Sequence, residues 1–201
     1  MIPRIIHQVW IGPKTMPNEW MRSWRDKNPS LQYELWTEQR ILEFGLKNKD
    51  KYDYYLATGC YCGACDVARV EILERIGGVY LDADLICLEP IENETFMQKD
   101  FFAVPVLTGQ INNAVIGSVA GHPILQNYIK RITDAKNLEP PFCTIGASML
   151  TRCILEYLKN DNIEILPTYS FYPKNKRRHL APAEGKAYAN HKWGSTVHLY
   201  K

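Results

Sequence analysis

Apolar positions along the chain recur with two different periods. Ile5 to Ile11 is a nearly unbroken apolar run, the pattern of a buried strand, and the Gly and two Pro of GPKTMP end it in a loop. NEWMRSWRDKN (18–28) then repeats at helical spacing, with Trp20 and Trp24 four residues apart on one face. Tyr33 to Trp36 predicts a second short strand. Thr37 predicts an N-cap, with Glu38 in the first turn of the helix EQRILEFGLKN (38–48). Strand, helix, strand, helix is the alternation of an α/β fold, a mostly parallel sheet flanked by helices.

The pattern continues in the same sense. A tyrosine-rich helical stretch around Lys51 to Leu56 precedes the helix CDVARVEILERI (65–76), which Gly77 and Gly78 stop. Strands are predicted at Val79–Leu81, Leu85–Leu88, Phe101–Val106 and Asn113–Val119. HPILQNYIKRIT (122–133) and GASMLTRCILEYL (146–158) are amphipathic helices, and IEIL (163–166) is a late strand. From Pro173 to Lys201 the chain is polar, basic and without period until TVHLY, so a loop or flap is expected there. Residues 1–201 contain no repeat and no low-complexity segment, and are expected to form one domain.

Composition narrows the function classes. A hydrophobic fraction of 46% and a charged fraction of 23% are those of a soluble globular protein. The net charge of +2 is too mild to make nucleic acid the default partner. No apolar run approaches the ~20 residues that span a bilayer. The start, MIPRIIHQVWIG, lacks the features of a secretory leader, so a cytoplasmic protein is expected. Cys60, Cys62 and Cys65 cluster in GCYCGAC without a second ligand pair at zinc spacing, and Cys87, Cys143 and Cys153 are scattered. Reduced thiols are the expectation.

The chemistry concentrates after Cys65. On a helix, Glu71, Glu74 and Arg75 fall on one side, and Val70, Ile72, Leu73 and Ile76 on the other, which faces the core. Asp66 and Arg69 land inside the apolar arc, three residues apart, close enough to pair. The strand that follows carries Asp82 and Asp84, placed by alternation on one side. Four charged groups then converge near the carboxyl end of one strand, where open α/β sheets bind their ligands. Two carboxylates so placed can share a divalent cation, and oxygen ligands suit Mg²⁺ or Mn²⁺.

The segments C-D-x-x-R and G-G-V-Y-L-D-x-D resemble the D-x-D sugar transferases of glycosyltransferase family 32, the Och1-like mannosyltransferases and capsular polysaccharide transferases. They are also similar to the glucosyltransferase domains of large clostridial toxins. The resemblance extends to IPRIIHQVWIG, to GHP at Gly121–Pro123, and to HKWGS at 191–195. It implies a GT-A-like fold that uses a nucleotide-sugar donor with Mn²⁺ or Mg²⁺ and retains the anomeric configuration. A UDP-sugar is the preferred donor, and a glycan or glycoprotein the acceptor. Carried over by position, it implies that Asp82 and Asp84, with His191, hold the metal and diphosphate. It implies that Asp66 grips sugar hydroxyls, that Arg69 binds the donor's sugar or phosphate, and that Trp10 packs on the base. The transfer chemistry is then assigned to Asp66, Arg69 and Asp84. His191, Trp193 and Ser195 lie where the family brings a C-terminal loop over the diphosphate, although here Trp precedes Ser.

Plainer readings stand beside these. Trp10 is equally a core residue, His7 reads as a satisfied buried histidine, and His122 as a helix start before Pro123. Asn113 either reaches donor hydroxyls or belongs to a turn with Asn112. Lys174 to His179 reads as a solvated basic loop, or as one that closes over a diphosphate. Two other classes remain at this stage. A phosphohydrolase of the haloacid dehalogenase kind also uses D-x-D, but on the first strand, and here 81 residues precede the motif. The other is a sugar-nucleotide-binding module without turnover.

Overall fold

The structure, a computed structural model, describes residues 1–157, 162–174, 179–183, 185–194 and 199. Its centre is a sheet of six strands in the order β2-β1-β3-β6-β5-β7. Strand β1 (Ile5–Val9) pairs in parallel with β2 (Gln32–Trp36) on one side and β3 (Gly78–Leu81) on the other. Strand β6 (Ile111–Ser118) runs antiparallel to both β3 and β5 (Phe101–Pro105), and β7 (Ile163–Ile165) is parallel to β5. Only β6 opposes the common direction, because a tight turn joins it to β5: Val106 N–H donates to Gln110 O (2.9 Å), with Gly109 at φ 80°. The sheet is therefore mostly parallel, as the alternation predicts.

Side chains divide by period two between two cores. From β3, Tyr80 enters the core formed with helix α4 (Tyr61–Ile76), α5 (Pro123–Asp134) and the helix Ala147–Leu155. Val79 and Leu81 enter the other, with Trp24 of α1 (Asn18–Lys27) and the aromatic rings of Phe96 and Phe171. β5 divides likewise, Phe101 and Ala103 to the first core, Phe102 and Val104 to the second. Helix α2 (Glu38–Phe44) starts at Thr37, whose side chain accepts from Arg40 N–H, and ends at Gly45 with φ 70°.

Three details depart from the sequence pattern. Helix α4 is buried almost all round, and Glu71, expected on its charged face, is 1% exposed. Its carboxylate accepts from the backbone N–H groups of Lys47 and Asn48 and from Asn48 Nδ2, fixing the start of α3 (Lys49–Ala57), which packs across that flank. Asp82 and Asp84 are not on a strand. β3 stops at Leu81, and the pair sits in a turn closed by Leu85 N–H on Asp82 O (3.1 Å). The strand after it, β4 (Leu85–Cys87), leaves the main sheet and pairs instead with β8 (Ala189–His191).

Gly77, at φ 72°, caps α4, and Gly78 opens β3. It has φ 109°, and a Cβ there would lie 2.7 Å from Ile5 O and 2.9 Å from His7 Nε2. Only glycine lets β3 lie this close to β1.

Candidate active site

The turn at 82–84 leaves the carboxyl end of β3, and β4 carries the chain straight into a pairing with the C-terminal segment. Leu85 lies opposite His191, so a residue more than a hundred positions away in sequence is set beside the aspartates. His191 Nε2 is 3.2 Å from Asp84 Oδ1 and 3.9 Å from Asp82 Oδ2. Asp84 in turn holds the C-terminal segment: its Oδ2 accepts Gly194 N–H (2.7 Å) and its backbone carbonyl accepts Lys192 N–H (2.9 Å). His191 Nδ1 accepts Trp193 N–H (3.0 Å), which leaves Nε2 facing the carboxylates. Trp193 has φ 57°, a left-handed backbone that side chains seldom adopt outside constrained turns.

Arg69 is the hub of the second half of the site. It is 4% exposed, and all three guanidinium nitrogens are engaged. Nε donates to Cys65 O (3.2 Å), NH1 to Asn113 O (2.7 Å), and NH1 also meets Asp82 Oδ1 (3.2 Å). NH2 meets Asp66 Oδ1 (3.1 Å), and the group lies 4.6 Å from the centre of the Tyr80 ring. One cation thus bridges the carboxylates of the helix and of the turn. Asn113 Nδ2 donates to Asp66 Oδ1 (2.8 Å), and Tyr80 OH donates to Asp82 Oδ1 (2.9 Å). Asn113 belongs to β6, not to a turn. At this point β6 bulges away from β5, Ala103 pairing with Ile116 but Val104 with Asn112. Such a bulge re-aims side chains beside functional sites.

These contacts set the charge states. Burial raises the Asp66 carboxyl to about 6, against the pull of Arg69. Burial acts on Asp82 in the same sense, but Arg69, His191 and Tyr80 together hold it below the ordinary range. Asp84 is raised by burial and by the charge of Asp82, with His191 opposing. Asp66 Oδ2 backs onto Gly146, where a Cβ would lie only 2.7 Å away.

The ligand atoms of Asp82, Asp84 and His191 all lie within 4.8 Å of one another. His191 Nε2 is buried with no hydrogen-bond partner among the described residues. Two carboxylate oxygens in that space fit a divalent cation, which would remove the repulsion between the aspartates; Nε2 of His191 joins them as a ligand when the ring proton moves to Nδ1 and Trp193 N–H no longer donates there.

The remaining expected residues are placed as follows. Trp10 follows the end of β1, half-buried, with Nε1–H on Lys14 O (3.0 Å), and Ile11 rather than Trp10 joins the core. Trp193 Nε1–H donates to Lys174 O (3.3 Å). Ser195, and residues 175–178 of the basic loop, lie outside the described residues. His7 is fully buried, its Nε2–H on Gly77 O (2.8 Å) and its Nδ1 accepting from Trp36 Nε1 (3.1 Å), a structural histidine. His122 caps α5, its ring accepting Ile124 N–H. Sequence reasoning missed Tyr80, although its alternation with Leu81 placed it on the α4 side. It also missed Gly146, for which no local pattern exists.

The mostly parallel α/β sheet, with Asp82 and Asp84 just past the carboxyl end of β3 and His191 brought beside them by β8, matches the GT-A-type glycosyltransferase structures. The chain belongs to the family described as glycosyltransferase sugar-binding region containing DXD motif, whose profile matches residues 17–102. It is 33% identical over 195 residues to an uncharacterized glycosyltransferase of Acanthamoeba polyphaga mimivirus, covering 87% of this chain and 74% of that one. It is 30% identical over 155 residues to inositol phosphoceramide mannosyltransferase 3 of Schizosaccharomyces pombe, covering 72% of this chain but 41% of the yeast protein. Less than half of that yeast relative is therefore represented. Among solved structures, the PaToxG glycosyltransferase superposes with a TM-score of 0.66 at 18% identity, over 79% of this chain and 70% of that one. The UDP-bound glycosyltransferase domain of the YGT toxin follows at 0.53 and 12% identity, over 82% and 79%. The chain is thus a glycosyltransferase, and the phosphohydrolase and non-catalytic readings are set aside.

Proposed function

We propose that this glycosyltransferase moves a sugar from a nucleotide-diphosphate donor to an acceptor hydroxyl, using a divalent cation held by Asp82, Asp84 and His191. The observation that carries the proposal is the convergence of those three side chains, one of them from a distant strand, around a space of cation size. Mn²⁺ or Mg²⁺ bound there supplies positive charge to the leaving diphosphate. Asp66 accepts from sugar hydroxyls through Oδ2, the oxygen not taken by Arg69 or Asn113. Arg69 serves by fixing Asp66 and Asp82 and by adding positive charge beside the diphosphate. Asn113 orients Asp66, Trp10 packs on the base, and Trp193 lies over the diphosphate.

Retention of configuration is part of the proposal. Asp82 and Asp84 share one cation site instead of flanking a bond as the carboxylates of a retaining glycosidase do. The acceptor hydroxyl then attacks on the face the diphosphate leaves. UDP is the preferred nucleotide, in line with the Trp10 position and the UDP-bound toxin domain. A glycan is the first acceptor class. A phosphoinositol-bearing lipid is the second, favoured by the name of the fission-yeast relative. Among the described residues no helix is long and apolar enough to cross a membrane. All six cysteines are free thiols.

Asp84→Asn tests the site, because it keeps an acceptor for Gly194 N–H while removing a cation ligand. Outer-shell substitutions at metal sites typically cost 10–100-fold, so turnover of a nucleotide sugar should fall by at least about a hundredfold. Circular dichroism should remain that of the wild type. Full activity in the variant would overturn the assignment.

A further inference from the structure

Tyr172 is 1% exposed, and its hydroxyl has no hydrogen-bond partner among the described residues. It belongs to the second core, on the side where that core meets His191 and Trp193. Its ring centre lies 5.7 Å from that of His191 and 5.9 Å from that of Trp193. The charges that act on its hydroxyl are those of Asp82, Arg69 and Asp84. The segment that carries it is rigid: Tyr172 N–H donates to Thr168 O (2.9 Å), and the neighbouring Phe171 ring stacks on Trp24. A second tie, Tyr188 N–H on Ser170 O (2.7 Å), binds the segment to the strand leading to His191.

A buried hydroxyl without a partner lowers the stability of the fold, and phenylalanine would fill the same volume without that cost. Such a group is accounted for when a ligand completes it. The wall around it is rich in acceptors, and the ligand of the proposed function brings more, so what the site lacks is a neutral donor on the His191 side. A phenol hydroxyl is such a donor at neutral pH.

We propose that Tyr172 is a donor-binding residue: its hydroxyl donates a hydrogen bond to an oxygen of the donor's diphosphate once that group sits between Asp82, Asp84 and His191. This rests on the proposed function and adds to it a residue that makes contact with the leaving group.

Tyr172→Phe removes the hydroxyl alone. Three quantities are measured on wild type and variant: the melting temperature without ligand, the affinity for Mn²⁺ alone, and the affinity for UDP and GDP with Mn²⁺. A melting temperature equal to or above that of the wild type is expected, with Mn²⁺ affinity within about twofold. Affinity for the nucleoside diphosphate should fall roughly ten- to a hundredfold, the range for a hydrogen bond to a charged group. Unchanged diphosphate affinity overturns the proposal. So does an equal loss for Mn²⁺ alone, which would assign the hydroxyl to the cation, or a lowered melting temperature, which would make it structural. A wild type that binds neither UDP nor GDP with Mn²⁺ overturns the proposed function itself, and that is seen before the variant is made.

Discussion

Two buried residues respond to acid in opposite directions. Burial depresses His7 to about 4, against about 6.5 for a free imidazole. Between those values the unfolded chain binds a proton that the native state refuses. Stability is therefore present above pH 6.5 and is lost as the pH falls from 6.5 to about 4. At 1.36 kcal/mol per unit the loss is roughly 3 kcal/mol. Asp66, raised to about 6, does the reverse: the native state takes its proton first, and stability rises as the pH falls from 6 towards 3.8. The whole-protein profile mixes the two, so the test is a difference. His7→Gln should be less stable than wild type at pH 7 and should lose less between pH 6.5 and 4 in urea titrations. Parallel profiles for the two proteins would show that His7 is not the group that titrates.

At the scale of elements, the site depends on how α1 holds β4. Trp24 is fully buried in α1, and its Nε1–H donates to Leu85 O (2.8 Å), one residue after Asp84. Ser23 Oγ accepts Cys87 N–H (2.9 Å) from the same strand. Helix α1 thus substitutes for the main sheet along one edge of β4 and leaves the other free for β8. Trp24→Phe leaves that carbonyl unpaired and opens a small cavity. A loss of about 2–4 kcal/mol in denaturant unfolding is expected, with weaker cation binding because the turn is no longer anchored. A loss under about 0.5 kcal/mol would mean that β8 alone fixes the turn.

For the whole molecule, the proposed cation site joins two distant parts of the chain, so binding there should be felt globally. A ligand specific for the native state stabilises it by about 2.7 kcal/mol at a hundred times its dissociation constant. Mn²⁺ should raise the melting temperature of the wild type, and His191→Ala should diminish that rise although the residue lies far along the chain from the aspartates. The same melting temperature with and without Mn²⁺ or Mg²⁺ would count against a cation at this place.

Much of this was legible in the pattern of residues. The order of strands and helices as far as β7, the helix stop at Gly77-Gly78 and the pairing of Asp66 with Arg69 follow from local periodicity, because spacing along one element fixes which side chains share a face; β8 lies in a stretch whose pattern predicts only a loop or flap. The acidic doublet was legible as chemistry but misplaced as structure. Alternation put it on a strand, whereas the hydrogen bond from Leu85 to Asp82 makes it a turn. Glu71 was assigned to solvent because a single helix cannot show that α3 will cover its flank. What only the tertiary structure decided are the partners that come from far away: His191 beside the aspartates through the β4–β8 ladder, Asn113 on Asp66 through the bulge in β6, and the unpartnered hydroxyl of Tyr172. Periodicity reports the face a residue presents, and it carries no information on which distant segment will be folded against that face.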